Sequence, residues 1–141
     1  MPQYILDTDS LTLLRQGNAA LVERLQQIPP DEVAITVITV EEQLSGWYSL
    51  MRQVRQDVDL ERAYERLVQT VRFLARLPVA GFSQVAIQHY RELLSAKLNI
   101  GKMDLRIAAI TMENRAILAT RNTRDFERIP GLVIVDWTRR E

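Results

Sequence analysis

The strongest constraint on this chain's fold is the alternation of very short apolar runs with longer helix-spaced segments along its 141 residues. Residues 4–6, 33–36, 116–119 and 132–135 form such runs, and 77–80 forms a weaker fifth. Runs this short, rich in β-branched and aromatic residues, are expected of strands covered on both faces. The segments between them carry helical spacing: 10–16, 19–28 (stopped by Pro29-Pro30), 39–53, 60–77, 83–98 and 103–113. In 60–77 the residues Leu60, Tyr64, Leu67, Val68, Val71, Leu74 and Ala75 fall on one stripe. Strands alternating with helices imply a parallel sheet with right-handed crossovers, hence a three-layer α/β/α sandwich. The helical excess at 39–77 predicts an inserted hairpin or arm. No repeat, low-complexity tract or Gly/Ser linker divides the chain, so a single domain over 1–141 is expected.

Composition excludes several chemistries. With no Cys, thiolate zinc sites, iron–sulfur clusters, Cys nucleophiles and disulfide frameworks are ruled out. Eighteen basic residues balance eighteen acidic ones, which argues against holding nucleic acid by bulk positive charge alone. Of the basic residues only Lys97 and Lys102 are Lys; the rest are Arg, whose planar fork suits phosphate but also serves surface ion pairs. No apolar run approaches the roughly 20 residues needed to cross a bilayer, and the N-terminus lacks the basic and apolar regions of a signal peptide. A cytoplasmic protein is the expectation.

Ligands of open parallel sheets sit outside the carboxyl ends of the strands, and that rule sorts the acids. Asp7 and Asp9 follow the first strand. Glu41 and Glu42 open the helix after the second. Asp104 begins the helix before the fourth strand, and Asn122 and Asp125 follow that strand. Glu41 and Glu42 point about 100° apart on a helix, so only one can face this rim. Each of Asp9, Asp104 and Asn122 also has a plain reading as a helix cap, whereas Asp7, set against an apolar strand, fits capping less well. Carboxylates gathered together repel unless a cation neutralises them. A hard divalent ion is implied; Mg²⁺ takes oxygen ligands and keeps several waters.

At these residues the chain resembles the PIN-domain family, in particular the VapC-like toxin ribonucleases of bacterial toxin–antitoxin pairs. Ile5-Leu6-Asp7-Thr8-Asp9 is similar to the family's opening strand and motif. The stretch from Ile35 through Ile38-Thr39 and Glu42 to Gly46 resembles its second motif and aligns Glu42, not Glu41, with the family acid. Ile100-Gly101-Lys102-Met103-Asp104, followed by Ile107-Ala108-Ala109, resembles the third. Ala119-Thr120-Arg121-Asn122-Thr123-Arg124-Asp125-Phe126, with Ile129-Pro130-Gly131-Leu132 behind it, is the most specific match. The resemblance implies a sheet of about five strands with an acidic pocket at one edge, and Mg²⁺- or Mn²⁺-dependent cleavage of RNA. It makes Asp7 and Asp104 the main metal ligands, Glu42 the third acid, and Thr8 and Thr120 their supporting residues. Asn122 stands where some members carry Asp, so either Asn122 or Asp125 fills the fourth position, and Asp9 replaces the more usual Asn or Ser in a way that would offset the missing charge. A homodimer and an antitoxin partner are implied as well.

The expected chemistry is in-line attack of a metal-activated water on an RNA phosphodiester. Arg106, Arg121 and Arg124 lie in or beside the motifs and are candidate RNA contacts, with solvated or paired helix faces as the alternative. Trp47 and Tyr48 are read as core or interface residues, with stacking on an unpaired base as the alternative. His89 is read as structural, and Met51, Met103 and Met112 as packing. Two rival functions remain: a haloacid-dehalogenase-like phosphatase, suggested by Asp7-Thr8-Asp9 but short of a suitable Lys and acidic pair, and a PIN-fold RNA-binding or scaffold module without chemistry.

Overall fold

Successive residues of a strand face opposite sides of its sheet, and the strands of this chain are apolar on both. The computed structural model describes residues 1–139. Its strands are β1 Tyr4–Leu6, β2 Val33–Thr36, β3 Val79–Ala80, β4 Ile117–Ala119 and β5 Val133–Val135. All pair in parallel, in the order β3-β2-β1-β4-β5, with Tyr4 opposite both Val33 and Ile117 and with Ile35 opposite Val79. The expected strands are thus present, each within a residue or two of its predicted place.

Around the sheet lie α1 Thr8–Arg15, α2 Ala19–Gln26, α3 Val37–Met51, α4 Asp57–Leu74, α5 Gln84–Ser95, α6 Lys102–Glu113 and the single-turn α7 Thr123–Phe126. Ile5, Ala34 and Leu118 point into one core with Ala86, Tyr90 and Ile107 of α5 and α6. Leu6, Ile35 and Ala119 point into a second core with Leu11, Leu21 and Leu74 of α1, α2 and α4. This is the expected three-layer sandwich. Ile5, Leu6, Ile35 and Leu118 are fully buried, and each contributes about 1.5–3 kcal/mol by leaving water.

Three helices, α1, α3 and α4, start two or three residues earlier than their apolar spacing predicts. Asp7 caps α1 by accepting from the Ser10 amide at 2.8 Å, and Thr36 caps α3 by accepting from Thr39 at 3.1 Å. Asp7 directly follows β1 and Thr36 is the last residue of β2, so no loop intervenes in either case. Asp9, read as a candidate cap, lies inside α1, and Asp104 lies inside the first turn of α6, whose cap is Gly101. Ser83 caps α5 as expected.

The arm differs in its orientation. α4 packs on α3, but Leu60, Tyr64, Val68 and Val71 are 39–55% exposed, while Ala63, Thr70 and Leu74 are buried. The small side chains of Ala63 and Thr70 allow close approach, and the Thr70 hydroxyl satisfies itself by donating to the Arg66 carbonyl at 2.8 Å. The apolar stripe predicted from spacing therefore divides, and most of it faces solvent.

Candidate active site

The sheet order reverses direction at β1, whose neighbours are β2 and β4. Crevices at such switch points are the ligand sites of open α/β sheets. Asp7 is the first residue past β1, only 5% exposed, and its amide donates to the Ala119 carbonyl at 3.1 Å. While one carboxylate oxygen caps α1, the other accepts from Thr120 Oγ1 at 2.6 Å, across the switch point. Thr120 Oγ1 in turn accepts from the Asn122 amide at 2.9 Å. One carboxylate thus joins the ends of β1 and β4 to the start of α7. Burial pushes the Asp7 carboxyl above its usual range, against the opposing hydrogen bonds from Thr120 and Ser10.

Glu42 is held from the other side. Thr8 Oγ1 donates to Glu42 Oε1 at 2.8 Å and lies 2.9 Å from Thr39 Oγ1. Thr8 has a single hydroxyl proton, so once that proton points at Glu42, Thr39 must be the donor in the second contact. Thr36, 3.5 Å further on, donates to Thr39. Glu41, one position earlier, is exposed. The helix rotation that allows only one of the pair to face the rim selects Glu42.

Asp104 projects from the first turn of α6, and its carboxyl is pushed up to about 6. Burial is the larger cause, followed by the charges of Glu42, Asp7 and Asp125. No hydrogen bond from the described residues relieves it. The fold therefore brings Asp7, Glu42 and Asp104, from three separate motifs, within electrostatic reach of one another.

The other candidates are distributed around this centre. Asn122 Nδ2 donates to Asp125 Oδ2 at 3.1 Å, and Arg128 Nη2 donates to Asp125 Oδ1 at 2.8 Å. The Asn122 bond and then Arg128 hold the Asp125 carboxyl below its usual range. Asp9 does not stand at the rim as an uncompensated charge: Arg121 pairs with its Oδ2 through Nη2 at 2.9 Å and Nε at 3.0 Å. Arg124 is exposed beside Asn122 and Asp125. Arg106 faces elsewhere, its guanidinium 5.0 Å from the Tyr90 ring centre and its buried Nε without a partner among the described residues. His89 stands on α5 beside Glu92. Met103 and Met112 pack against the first core, and Met51 is partly buried. Trp47 is half-buried and Tyr48 is half-exposed.

Sequence reasoning missed Ser10, Thr36, Thr39 and Arg128. Short hydroxyl residues at the strand ends were a signal for the first three, since a buried hydroxyl there must find a partner. Arg128 carried one local signal, its i,i+3 spacing from Asp125, whereas its other partner, the Leu98 carbonyl, is 30 residues away in sequence.

Whether these residues suit a divalent cation depends on their donor chemistry. Among the described residues no three His, Asp or Glu side chains converge closely enough to form a ready-made cage. Mg²⁺ does not ask for one: it is held by one or two carboxylates and completes its shell with water. An unrelieved Asp104 carboxylate, raised by its acidic neighbours, beside the tightly oriented Asp7 is an oxygen-donor set that fits such an ion.

No protein-family model matches the chain. Individual relatives do, over nearly its whole length. It is 27% identical over 143 residues to ribonuclease VapC1 of Haemophilus influenzae, covering 96% of this chain and 98% of that one. It is 26% identical over 142 residues to the tRNA(fMet)-specific endonuclease VapC of Salmonella typhimurium, covering 97% and 99%. In structure it is similar to a chain of the DNA-bound VapBC complex of Salmonella typhimurium, with a TM-score of 0.77, 27% identity, and coverage of 97% and 99%. In full-length sequence and in fold, with acids of the motifs gathered at one switch point, this chain is similar to the VapC ribonucleases.

Proposed function

We propose that this chain is the ribonuclease toxin of a toxin–antitoxin pair and that it cleaves RNA phosphodiester bonds with the help of Mg²⁺ or Mn²⁺. The observation that carries this reading is the meeting of Asp7, Glu42 and Asp104 at the β1/β4 switch point, in a chain that matches VapC ribonucleases from end to end. Asp7 and Asp104 would hold the metal, with Glu42 binding it directly or through water. When bound, the ion activates a water and stabilises charge on the phosphoryl group. Thr120 and Ser10 fix both oxygens of Asp7, while Thr8 fixes the rotamer of Glu42, so the carboxylates are oriented before anything binds. Arg121 and Arg124 stand at the rim as candidate phosphate contacts.

An antitoxin partner is supported by the likeness to chains solved as VapBC complexes. The exposed stripe of Leu60, Tyr64, Val68 and Val71 offers an apolar face for a homodimer or for that partner. No helix of the described residues is long and apolar enough to cross a membrane, and the proposed site of action is the cytoplasm. The test is cleavage of a panel of single-stranded and structured RNAs with Mg²⁺, Mn²⁺ or EDTA, comparing wild type with Asp7→Asn and Asp104→Asn. Cleavage that requires metal and is lost in both variants is expected. Cleavage in EDTA, or full activity in both variants, would overturn the mechanism; RNA binding without cleavage would support the scaffold reading instead.

A further inference from the structure

The helices that carry the acids also define a track leading away from them. α1 and α3 both begin at strand ends on adjacent strands; Thr8 opens α1, and Glu42 lies in the second turn of α3. One turn along α1, Thr12 Oγ1 donates to the Thr8 carbonyl at 3.1 Å and lies 3.5 Å from Gln43 Nε2, which donates to it. Two turns along is Arg15, about 10 Å from Thr8 at 1.5 Å per residue. Between the helices lies a groove of about 300 Å³, floored by the buried Leu11 and bounded by Arg15, Gln16, Gln43, Trp47 and Phe73. That volume is at the lower end of the range for small-molecule sites.

The cation in this groove is held by neutral groups. Arg15 Nη1 donates to Thr70 Oγ1 at 2.8 Å, and the guanidinium lies 5.4 Å from the centre of the Phe73 ring. Among the described residues it forms no ion pair. A guanidinium fixed in place, with its charge unmatched, is a preformed anion contact. The side chains of Gln16 and Gln43 each offer both donors and an acceptor, the equipment for reading a base edge. Trp47 supplies an aromatic wall.

We infer that this groove seats a nucleotide of single-stranded RNA next to the cleaved bond, with Arg15 engaging its phosphate and Gln43 its base edge beside Trp47. The inference rests on the ribonuclease reading and adds the path the substrate takes. A polyanion fits the observations better than a peptide because a hydrogen-bond chain through Thr12 and Thr8 leads from the groove to Glu42, and because the only charge among the described residues that line it is positive.

Trp47 makes the test direct. The chain has two Trp residues, and Trp137, 5% exposed, is packed in the second core beside Tyr4. Emission of the whole protein is measured in EDTA while a short single-stranded RNA oligonucleotide is titrated in, so that binding is read without cleavage. A saturable change that disappears in Trp47→Phe is expected. Arg15→Gln is expected to raise both Kd and KM about tenfold, the loss of one charged hydrogen bond, and to reduce the salt dependence of binding by about 0.7 in logarithmic slope. Both variants are checked for unchanged melting. RNA that binds or is cleaved without altering Trp47 emission, or an Arg15→Gln protein with wild-type Kd and KM, would overturn the inference while leaving the ribonuclease reading standing. An emission change produced by an antitoxin peptide and not by RNA would also overturn it, assigning the groove to the protein partner. If wild type neither binds nor cleaves any RNA, the ribonuclease reading falls and this inference with it.

Discussion

Asp104→Asn is expected to stabilise the metal-free protein at neutral pH, although it removes a proposed metal ligand. The Asp104 carboxyl is pushed up from an ordinary 3.8 to about 6. At 1.36 kcal/mol per pKa unit, the ionised form is disfavoured by about 3 kcal/mol at face value. The side chain is only half-buried, and solvent screening brings this down to about 1.5 kcal/mol. In the first turn of α6 the helix dipole favours a negative charge by about 0.5 kcal/mol, which the variant gives up. The net expectation is a gain of about 1 kcal/mol, or about 3–4 °C in Tm for a domain of this size. The sign follows from the direction of the shift. The folded chain holds this proton more tightly than the unfolded one, so the penalty is absent below 3.8, grows between 3.8 and about 6, and is complete above. Urea denaturation in EDTA should therefore show the variant more stable than wild type at pH 8 and nearly equal to it at pH 4.5. Repeating the pH 8 measurement with millimolar Mg²⁺ should narrow or reverse the difference, since only wild type gains fully from binding. A variant less stable than wild type by 1 kcal/mol or more at pH 8 in EDTA, or the same difference at both pH values, would refute the electrostatic reasoning.

Other perturbations follow from particular contacts. Thr120→Val removes the hydroxyl that donates to Asp7 Oδ2 and accepts from the Asn122 amide; it should cost about 1–3 kcal/mol in urea denaturation and move the acid limb of the cleavage pH profile to higher pH, because that bond holds the Asp7 carboxyl down. Glu42→Gln should abolish most cleavage whereas Glu41→Gln, on an exposed side chain, should keep it; equal activity of the two variants would contradict the assignment of Glu42 to the rim. Arg128→Ala cuts the tie between Asp125 and the Leu98 carbonyl, and hydrogen exchange of residues 97–101 should accelerate while that of α5 does not.

The fold was largely legible because each strand is apolar on both faces and each helix carries a period near 3.6, which are local properties. Its misreadings were local as well. The helix starts at Thr8 and Val37 precede the apolar spacing because each cap directly follows or ends a strand, and the start at Asp57 precedes it because the first turn of α4 carries Asp57 and Asp59. The stripe on α4 was read as one face, yet Ala63 and Thr70 pack inward because close helix approach favours small side chains over large ones. Among the site residues, the order of the acids along the chain pointed to one rim. The pairing of Asp9 with Arg121 and the placing of Arg106 on Tyr90 were not legible, since both depend on which helix passes which.

Periodicity and strand-end acids are enough to specify an α/β sandwich with carboxylates at its carboxyl edge, because alternation and spacing act within a few residues of one another. The sheet order β3-β2-β1-β4-β5 is what sets Thr120 against Asp7 across 113 positions of chain and turns Thr8 toward Glu42 across 34. Those contacts decide which oxygens are already engaged and which remain available, leaving Asp104 as the unrelieved charge. Only long-range packing can set them, because each hydrogen bond has an angstrom-scale reach and its partners are adjacent only once the strands have paired.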